Sequence, residues 1–417
     1  MNLFRLVWSY LKAKPLNTAL NIVLLSLGIA VITILLLFNN QLQQKITDNA
    51  RGIDLVVGAK GSPLQLILCN IFHIDFPTGN INLAEAERIA RNRLIKNAIP
   101  LALGDSYQSY RIIGTSKAYA DLYKATLQTG NWWAADMEVV TGAQVAEMLK
   151  LKIGDSFTST HGLTSDGHAH DEQRFVVKGI MNRMGNVVDN LILTNVESIW
   201  QVHEVHAEEA EREHAVALDS SIVLSMLVPT IAAGDSTKEI TSMLIQYRSP
   251  MGAIQLPRYV NGQSNMQAAS PAFETARLFS ILGIGVDVLM AFAYILIFIS
   301  GLSIFIALYN SLKERRYDLA IMRSMGATRS KLFISILLEG SLLTVLGSAI
   351  GLLMGHGTLL LLPMLVVEAQ KAGISGVVFY PEEWIILAGS LFLGLLCALI
   401  PALQAYRTDI SKVLAGN

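Results

Sequence analysis

Histidine and acidic side chains are concentrated in two short segments of the sequence. The first is HGLTSDGHAHDE at residues 161–172, and the second is HEVHAEEAEREH at residues 203–214. Imidazole nitrogens and carboxylate oxygens are ligands for zinc, and imidazole also suits copper. The same residues also fit a solvated polar insertion in the first segment and a charged helix face in the second. A metal site and these solvated surfaces therefore both stay open as interpretations. The candidate metal ligands are His161, His168, His170, His203 and His206.

No recognisable set of catalytic side chains accompanies these histidines. The sequence lacks the spacing of a known nucleophile–base motif, and it has no G-x-x-x-x-G-K-[ST] loop for nucleotide phosphates. The string GAKGS at residues 58–62 is too short for such a loop. The two cysteines, Cys69 and Cys397, are far apart and form no C-x-x-C motif. We therefore expect a protein that is not an enzyme and has no cofactor of its own, the candidate zinc site apart.

Apolar runs dominate the composition. Hydrophobic residues make up 52% of the 417 residues and charged residues 16%, whereas a soluble domain carries about a quarter charged residues. A net charge of −1 gives no basis for nucleic-acid binding. Crossing a bilayer takes roughly 20 apolar residues. We predict four transmembrane helices, at residues 19–38, 279–311, 332–362 and 384–405.

Basic residues near the helix ends predict the orientation. Arg5, Lys12 and Lys14 precede the first helix, and residues 312–332 carry six Lys and Arg residues. The positive-inside rule therefore puts both termini and residues 312–332 in the cytoplasm. The predicted layout is an interfacial helix at 1–18, the first span, an external domain at 39–278, the second span with its stalk, a cytoplasmic helix at 312–331, the third span, an external loop at 363–383, the fourth span and a cytoplasmic tail at 406–417.

The external domain has the alternating patterns of a mixed α/β fold. Residues 82–94 predict a helix with Asn82 as its N-cap. Residues 191–204 predict a strand followed by a helix that is capped at Thr194. We expect two subdomains, a compact middle region at 82–214 and a second one formed by its flanks at 39–80 and 215–278.

The segment LKERRYDLAIMRSMGATRSKL, residues 312–332, has an apolar stripe and a basic face. The stripe consists of Leu319, Met322 and Met325 at spacings of three, and the other face contains Arg316 and Arg323. This pattern predicts a short amphipathic helix that lies parallel to the membrane.

Both ends of this short helix are marked in the sequence. Gly326 suits the left-handed position that ends a helix, and Thr328 suits the N-cap of the next one. Basic residues alone are explained by membrane orientation. The stop, the restart and the apolar stripe favour a surface that docks a cytoplasmic partner.

The third apolar run contains small residues and one charge. Gly347, Gly351 and Gly355 share one helix face, which is typical of close packing between helices or of a dimer seam. The alternative is that these glycines are scattered over a lipid-facing helix. Glu339 lies in the same run, and we expect it to face the bundle with a partner, to be protonated or to be hydrated.

Several segments together resemble one family. ERRYDLAIMRSMGATRSKL (314–332), LEGSLLTVLGSAIGLLMG (338–355) and IPALQAYRTDISKVLAG (400–416) are similar to the membrane segments of the FtsX/MacB superfamily, with Ser411 where a proline is usual. VVTGAQVAEMLKLKIGD (139–155) and FVVKGI (175–180) resemble the external domain of that family more loosely. The superfamily comprises permease subunits of mechanotransmission ABC transporters.

The resemblance implies that the helix in 312–331 is a coupling helix seated in a cleft of an ATPase. The residues assigned to this contact are Arg315, Arg316, Leu319, Met322, Arg323, Met325 and Gly326. It also implies a separate ATPase subunit in two copies, which binds ATP and Mg²⁺, and a second permease copy or a paralogue. A periplasmic or outer-membrane protein is a further expected partner.

The implied protein is a multi-pass inner-membrane permease that exports or extracts a lipoprotein, lipid, peptide or drug. Its size is nearest to the LolC/LolE type, whereas the MacB exporters carry their ATPase fused at the N-terminus. Two alternatives stay open. One is an FtsX-like regulator of a periplasmic hydrolase, and the other is a metal-responsive membrane protein that uses the histidine-rich loop.

Overall fold

The computed structural model describes residues 3–161, 169–202, 238–366 and 373–407. The chain divides into two compact units. The membrane unit consists of residues 1–43 and 281–417, and the external unit consists of residues 44–280.

Two helices begin the chain. Helix α1 spans Leu3–Ala13, and α2 spans Pro15–Ala50. Pro15 is the first residue of α2, a position where the missing N–H of proline costs no hydrogen bond. One face of α1 is buried in the membrane unit through Val7 and Leu11. Helix α2 continues well beyond the expected span at 19–38, and the residues at 41–45, which are Gln, Leu and Lys, have high helix propensity.

The external unit is built on a large mixed sheet. Its first half contains β1 Leu55–Ala59, α3 Pro63–Asn70, β2 Ile81–Asn82, α4 Leu83–Ala90, β3 Ile95–Tyr107, β4 Tyr110–Thr115, α5 Lys117–Leu122, β5 Leu127–Gly130, β6 Glu138–Thr141 and α6 Ala143–Leu149. Its second half contains β7 Ser156–His161, β8 Ala169–Met181, a 3₁₀ turn Val187–Asn190, β9 Leu191–Thr194, α7 at 196–202, β10 Glu239–Ile240, β11 Ser242–Tyr247, α8 Met251–Gln263 and β12 Met266–Ala269.

The strand order joins the flanks to the middle region. Among the described strands the order is β12-β1-β11-β3-β4-β9-β6-β8-β5, with β7 paired to β3 and β8, and β10 paired to β2 outside this sheet. Strand β11 from one flank pairs with β1 from the other and with β3 from the middle, in both cases antiparallel. The expected two subdomains are therefore replaced by one compact unit, with an apolar core on each face of the sheet.

The two predicted helix caps in the external unit differ in outcome. Asn82 caps α4 as predicted, because its side-chain oxygen accepts hydrogen bonds from the backbone of Ala84 and Glu85 at 2.9 and 3.2 Å. The cap of α7 is Asn195 rather than Thr194, and Asn195 accepts from the Ser198 backbone at 3.0 Å. Thr194 is instead the last residue of β9, where its hydroxyl donates to the Glu138 carbonyl.

Four helices follow the external unit's last strand in the described part of the chain. They are α9 Pro271–Glu314, α10 Arg316–Ser324, α11 Arg329–Leu365 and α12 Glu382–Arg407. Within the described residues, α2, α9, α11 and α12 are the helices long and apolar enough to cross a membrane. Four such helices, with an α/β domain inserted between the first and the second, confirm the predicted fold class.

The glycine face of α11 packs against α2 inside the chain. A β-carbon at Gly347 would lie 2.8 Å from the Leu25 side chain, and one at Gly351 would lie 2.8 Å from the Ser26 carbonyl. At Gly355 a β-carbon would lie 2.7 Å from Thr33. These distances are below any real contact, so the two helices approach this closely only because the side chains are missing. The face is thus occupied by α2 and leaves no room for a dimer seam.

Candidate functional site

The predicted stop and restart of the basic segment are present in the structure. We call residues 312–332 the elbow, because the chain leaves α9, forms α10 and enters α11 within it. Gly326 has φ +99°, a backbone conformation that residues with a β-carbon rarely adopt. The Thr328 hydroxyl accepts a hydrogen bond from the Lys331 backbone at 3.4 Å and caps α11. Both sequence predictions about these residues are confirmed.

The apolar stripe of α10 lies mostly against the membrane unit itself. Leu319 is 5% exposed, and Met322 is half-buried beside it. They pack in a cluster with Leu312, Leu332, Ile336, Ala402 and Ala405, which belong to α9, α11 and α12. This packing fixes α10 to three helices, and it removes Leu319 from any surface that a partner protein could contact.

A second set of side chains faces away from the protein. Tyr317, Ile321 and Met325 are exposed to 59%, 38% and 83%. Arg316 is exposed near this face, whereas Arg323 is half-buried. Tyr317 and Ile321 were not assigned to the site from the sequence, because the stripe at spacings of three pointed to the opposite side of the helix. The outward face of α10 therefore presents three apolar or aromatic side chains together with the exposed carboxylate of Asp318, which lies three residues before Ile321 on the same face.

Arg315 connects the elbow to α1 and α11 through two contacts. Its Nη1 lies 3.6 Å from Oε2 of Glu339 in α11, and both side chains are at most 13% exposed. Its guanidinium carbon lies 3.8 Å from the centre of the Tyr10 ring in α1, which is a cation–π contact. Burial raises the pKa of the Tyr10 phenol, so the ring stays uncharged beneath the arginine. Arg315 is thus engaged within the chain and does not belong to the outward face.

A second ion pair lies beside this contact. Lys14, between α1 and α2, pairs with Glu314 at the end of α9, and both side chains are partly exposed. We call Tyr10, Lys14, Glu314, Arg315 and Glu339 the inner clamp. The inner clamp connects α1, the α9–α10 junction and α11. It also answers the question that the sequence left open for Glu339, which has a basic partner.

Only part of the inner clamp could be predicted from the sequence. A carboxylate in an apolar run is expensive without a partner, and this cost indicated that Glu339 has one. The identity of the partner was hidden, because Arg315 and Arg316 are adjacent and no periodicity shows which of them turns inward. Tyr10 and Lys14 belong to the N-terminal segment, which the sequence connected only with the membrane surface.

The predicted metal ligands fall where the structure gives little information. His168, His203 and His206 lie outside the described residues, as do the side chains of His161 and His170. The backbone of His161 ends β7 and that of His170 lies in β8, so strands extend into the segment that was expected to be a loop. In the part of the chain that the structure describes, no group of three or more His, Cys, Asp or Glu residues could hold a metal ion.

Comparison with known protein families matches both parts of this architecture. The MacB-like periplasmic core domain matches residues 18–243, more than half of the chain, and the FtsX-like permease C-terminal domain matches residues 290–410. The fold and the two matches define a membrane permease with a large external domain. The chain belongs to the FtsX/MacB superfamily of ABC transporter permeases, which confirms the resemblance drawn from the sequence motifs.

Individual relatives are more distant. The chain is 24% identical over 140 residues to the Bacillus subtilis (strain 168) protein described as "Uncharacterized ABC transporter permease YknZ", and the alignment covers 32% of each chain. It is 12% identical to the periplasmic region of MacB from Actinobacillus actinomycetemcomitans, covering 56% of this chain and 98% of that one with a TM-score of 0.33. It is also 12% identical to the extracellular domain of YknZ from Gram-positive bacteria, with 52% and 99% coverage and a TM-score of 0.29.

Proposed function

We propose that this permease converts ATP hydrolysis by a separate ATPase subunit into movement of its external unit, and that α10 is the helix that receives the force. The ATPase binds ATP and Mg²⁺ and works as two copies with two permease chains. The elbow and both termini lie in the cytoplasm, in line with the basic residues of 312–332. The movement exports or extracts a substrate on the outer side of the inner membrane.

The observation that carries the proposal is the two-sided construction of α10. Its outward face presents Tyr317, Ile321 and Met325, which are costly to leave in water and suit an apolar cleft in a partner. Its inward face is fixed by Leu319 and by the Arg315–Glu339 pair. A force on the outward face is therefore passed to α9, α11 and α12 rather than absorbed by rotation of a loose helix.

The candidate substrates come from the family resemblance. They are a lipoprotein, a lipid, a peptide or a drug, which is exported or extracted on the outer side without having to cross the membrane between the four helices. The alternative of a regulator that activates an external hydrolase uses the same coupling. ATP hydrolysis by the reconstituted complex, measured with and without candidate substrates, separates the two, because only a transporter is stimulated by substrate.

The docking face is tested by adding two carboxylates to it. Ile321→Glu with Met325→Glu changes only exposed side chains, so the permease is expected to fold. Each buried carboxylate would oppose docking, and we expect the amount of ATPase that copurifies to fall by about tenfold or more, equivalent to roughly 1.4 kcal/mol. The ATPase to be used is the one encoded beside the permease gene.

The matched control is Arg5→Glu with Ser9→Glu. It places two carboxylates on exposed positions of α1 and leaves the outward face of α10 unchanged. The control is expected to copurify with the ATPase as the unmodified permease does. Equal ATPase recovery for the α10 variant and the unmodified chain would show that α10 is not the docking helix.

A further inference from the structure

A polar cluster lies at the end of α11 opposite to the elbow. Gln41 of α2 makes two hydrogen bonds to the backbone of Ser375, one as donor to its carbonyl at 2.7 Å and one as acceptor from its N–H at 2.8 Å. Gly376 packs directly on α11, where a β-carbon would lie 2.9 Å from the Leu360 nitrogen. Residues 373–381, which we call the α11–α12 loop, are thus held against α2 and α11.

His356 is the centre of this cluster. Its ring is 7% exposed and stacks on Phe379 with 4.2 Å between ring centres. Nδ1 lies 2.7 Å from the Gly376 carbonyl oxygen, and Nε2 lies 2.9 Å from Oε2 of Glu383. Glu383 is 3% exposed, and its other carboxyl oxygen accepts a hydrogen bond from the Tyr380 backbone at 2.9 Å.

The partners of His356 fix the number of protons that it shares with Glu383. A carbonyl oxygen only accepts, so Nδ1 carries a hydrogen and donates it to Gly376. The neutral ring then has a bare lone pair on Nε2, which faces a carboxyl oxygen at 2.9 Å. A contact of that length between two acceptors is repulsive, so one further proton must lie between them, on the imidazole or on the carboxyl group.

We propose that His356 and Glu383 form a buried site for one proton, and that this proton fastens the α11–α12 loop to the membrane unit. Glu383 lies in the first turn of α12, where the helix dipole favours a carboxylate. The bound state is therefore an imidazolium–carboxylate pair. Among the described residues, the titratable groups next to Glu383 in the chain are Tyr380 and the exposed Glu382, and α2 contributes the neutral Gln41 to the contact with the loop.

Loss of the proton releases the α11–α12 loop from its contact with His356. The Nε2 lone pair and the carboxylate then repel each other inside a site that is almost closed to water, where an unpaired polar group is costly. The ring turns away from Glu383, and its hydrogen bond to Gly376 is lost with it. Because the loop connects α11 to α12, the site sets how firmly the ends of these helices are joined. This inference does not depend on the proposed coupling to an ATPase.

The experiment follows the motion of a nitroxide label on the loop. Val377 is 69% exposed and accepts a label as Val377→Cys. The half-buried Cys397 is replaced by serine, and Cys69 is fully buried and does not compete for the reagent. The full chain in lipid nanodiscs is labelled once and then titrated from mildly acidic to alkaline pH. We expect a step from a restricted to a mobile electron paramagnetic resonance line shape as the pH rises.

Two variants test whether the pair causes this step. In Glu383→Gln the amide donates to the neutral imidazole, so the loop should stay restricted at every pH. In His356→Gln the imidazole is gone and with it the shared proton, so the line shape should not change with pH. Gln41→Ala loosens the loop without touching the pair, and its step should persist from a more mobile baseline. A pH-independent line shape in the unmodified loop, or an unchanged step in Glu383→Gln, would overturn the proposal.

Discussion

At the scale of single residues, the external unit contains a histidine that cannot take up a proton without cost. His73 is 7% exposed, and its Nε2 lies 3.0 Å from the Tyr119 hydroxyl. Burial, with the nearby Arg111 guanidinium, lowers the pKa of His73 to about 3. Arg111 is itself buried and donates to the Asp75 carbonyl at 2.7 Å. The cluster is therefore built for a neutral imidazole beside a permanent positive charge.

This environment predicts that the external unit loses stability in acid. Unfolded histidine titrates near pH 6.5, so the unfolded chain binds one more proton than the folded chain between about pH 6.5 and pH 3. Stability therefore falls as the pH drops through this range. At pH 5 the loss amounts to about 2 kcal/mol, because one pKa unit is worth about 1.4 kcal/mol.

The variant His73→Asn tests how much His73 contributes to the loss of stability in acid. His73 has φ +56°, and asparagine tolerates this conformation better than most residues. Urea unfolding of the external unit in the full chain can be followed by the fluorescence of Trp132, Trp133 and Trp200. Between neutral pH and pH 5, the unmodified chain should lose about 2 kcal/mol more than the variant. Parallel pH dependences in the two proteins would assign the acid sensitivity to other groups.

At the scale of elements, the inner clamp predicts a double-mutant pattern. Glu339→Leu leaves the Arg315 charge buried beside Tyr10 without its carboxylate, and breaking such a pair costs about 3 kcal/mol. Arg315→Met together with Glu339→Leu replaces both charges by apolar side chains, which is often nearly neutral. The double variant should therefore be more stable than Glu339→Leu alone. Thermal unfolding in detergent measures both.

Arg316→Met is the matched control for this comparison. It removes the neighbouring arginine, which is exposed, and surface charges contribute at most about 1 kcal/mol. Its unfolding temperature should stay near that of the unmodified chain. If Glu339→Leu and the double variant were equally destabilised, the pair would not be coupled.

The elbow shows which part of an element can be predicted from its sequence. Gly326 and Thr328 fix the end of one helix and the start of the next through their own backbone and side-chain chemistry, and both are as predicted. The direction of the apolar face depends on which neighbours lie closer. Leu319 faces the membrane unit because it packs there against Leu332 of α11 and Ala402 of α12. No local pattern contains that information.

The rest of the fold likewise divides into features that depend on local sequence and features that depend on contacts with distant residues. The four apolar helices follow from composition and length, and Asn82 caps its helix through a local hydrogen bond. The N-cap of α7 is Asn195 and not the predicted Thr194, because Thr194 is the last residue of strand β9. The His356–Glu383 pair joins residues 27 positions apart, and no local sequence pattern singles out either of them.

At the scale of the whole molecule, two of the described helices, α2 and α9, continue from one unit into the other. Helix α9 begins at Pro271 in the external unit and ends at Glu314 in the elbow, without a break over 44 residues. At 1.5 Å per residue this is about 66 Å of helix, roughly twice the apolar thickness of a bilayer. The proposed function uses the continuity of α9: in that proposal, movement of the elbow is transmitted to the external unit along this helix.

A proline substitution in α9 tests whether movement is transmitted along this helix. A side chain at Gly285 meets no atom within 4 Å, so Gly285→Pro acts on the backbone and not on packing. Proline removes a helical hydrogen bond and bends the helix at a cost of about 3 kcal/mol, whereas Gly285→Ala keeps the hydrogen bond and raises the helix propensity. We expect the proline variant to bind the ATPase and hydrolyse ATP, while ATP no longer changes the hydrogen exchange of residues 44–280. The alanine control should retain that ATP-dependent change, since its helix stays continuous. An undiminished change in the proline variant would mean that the external unit receives its movement by another route than α9.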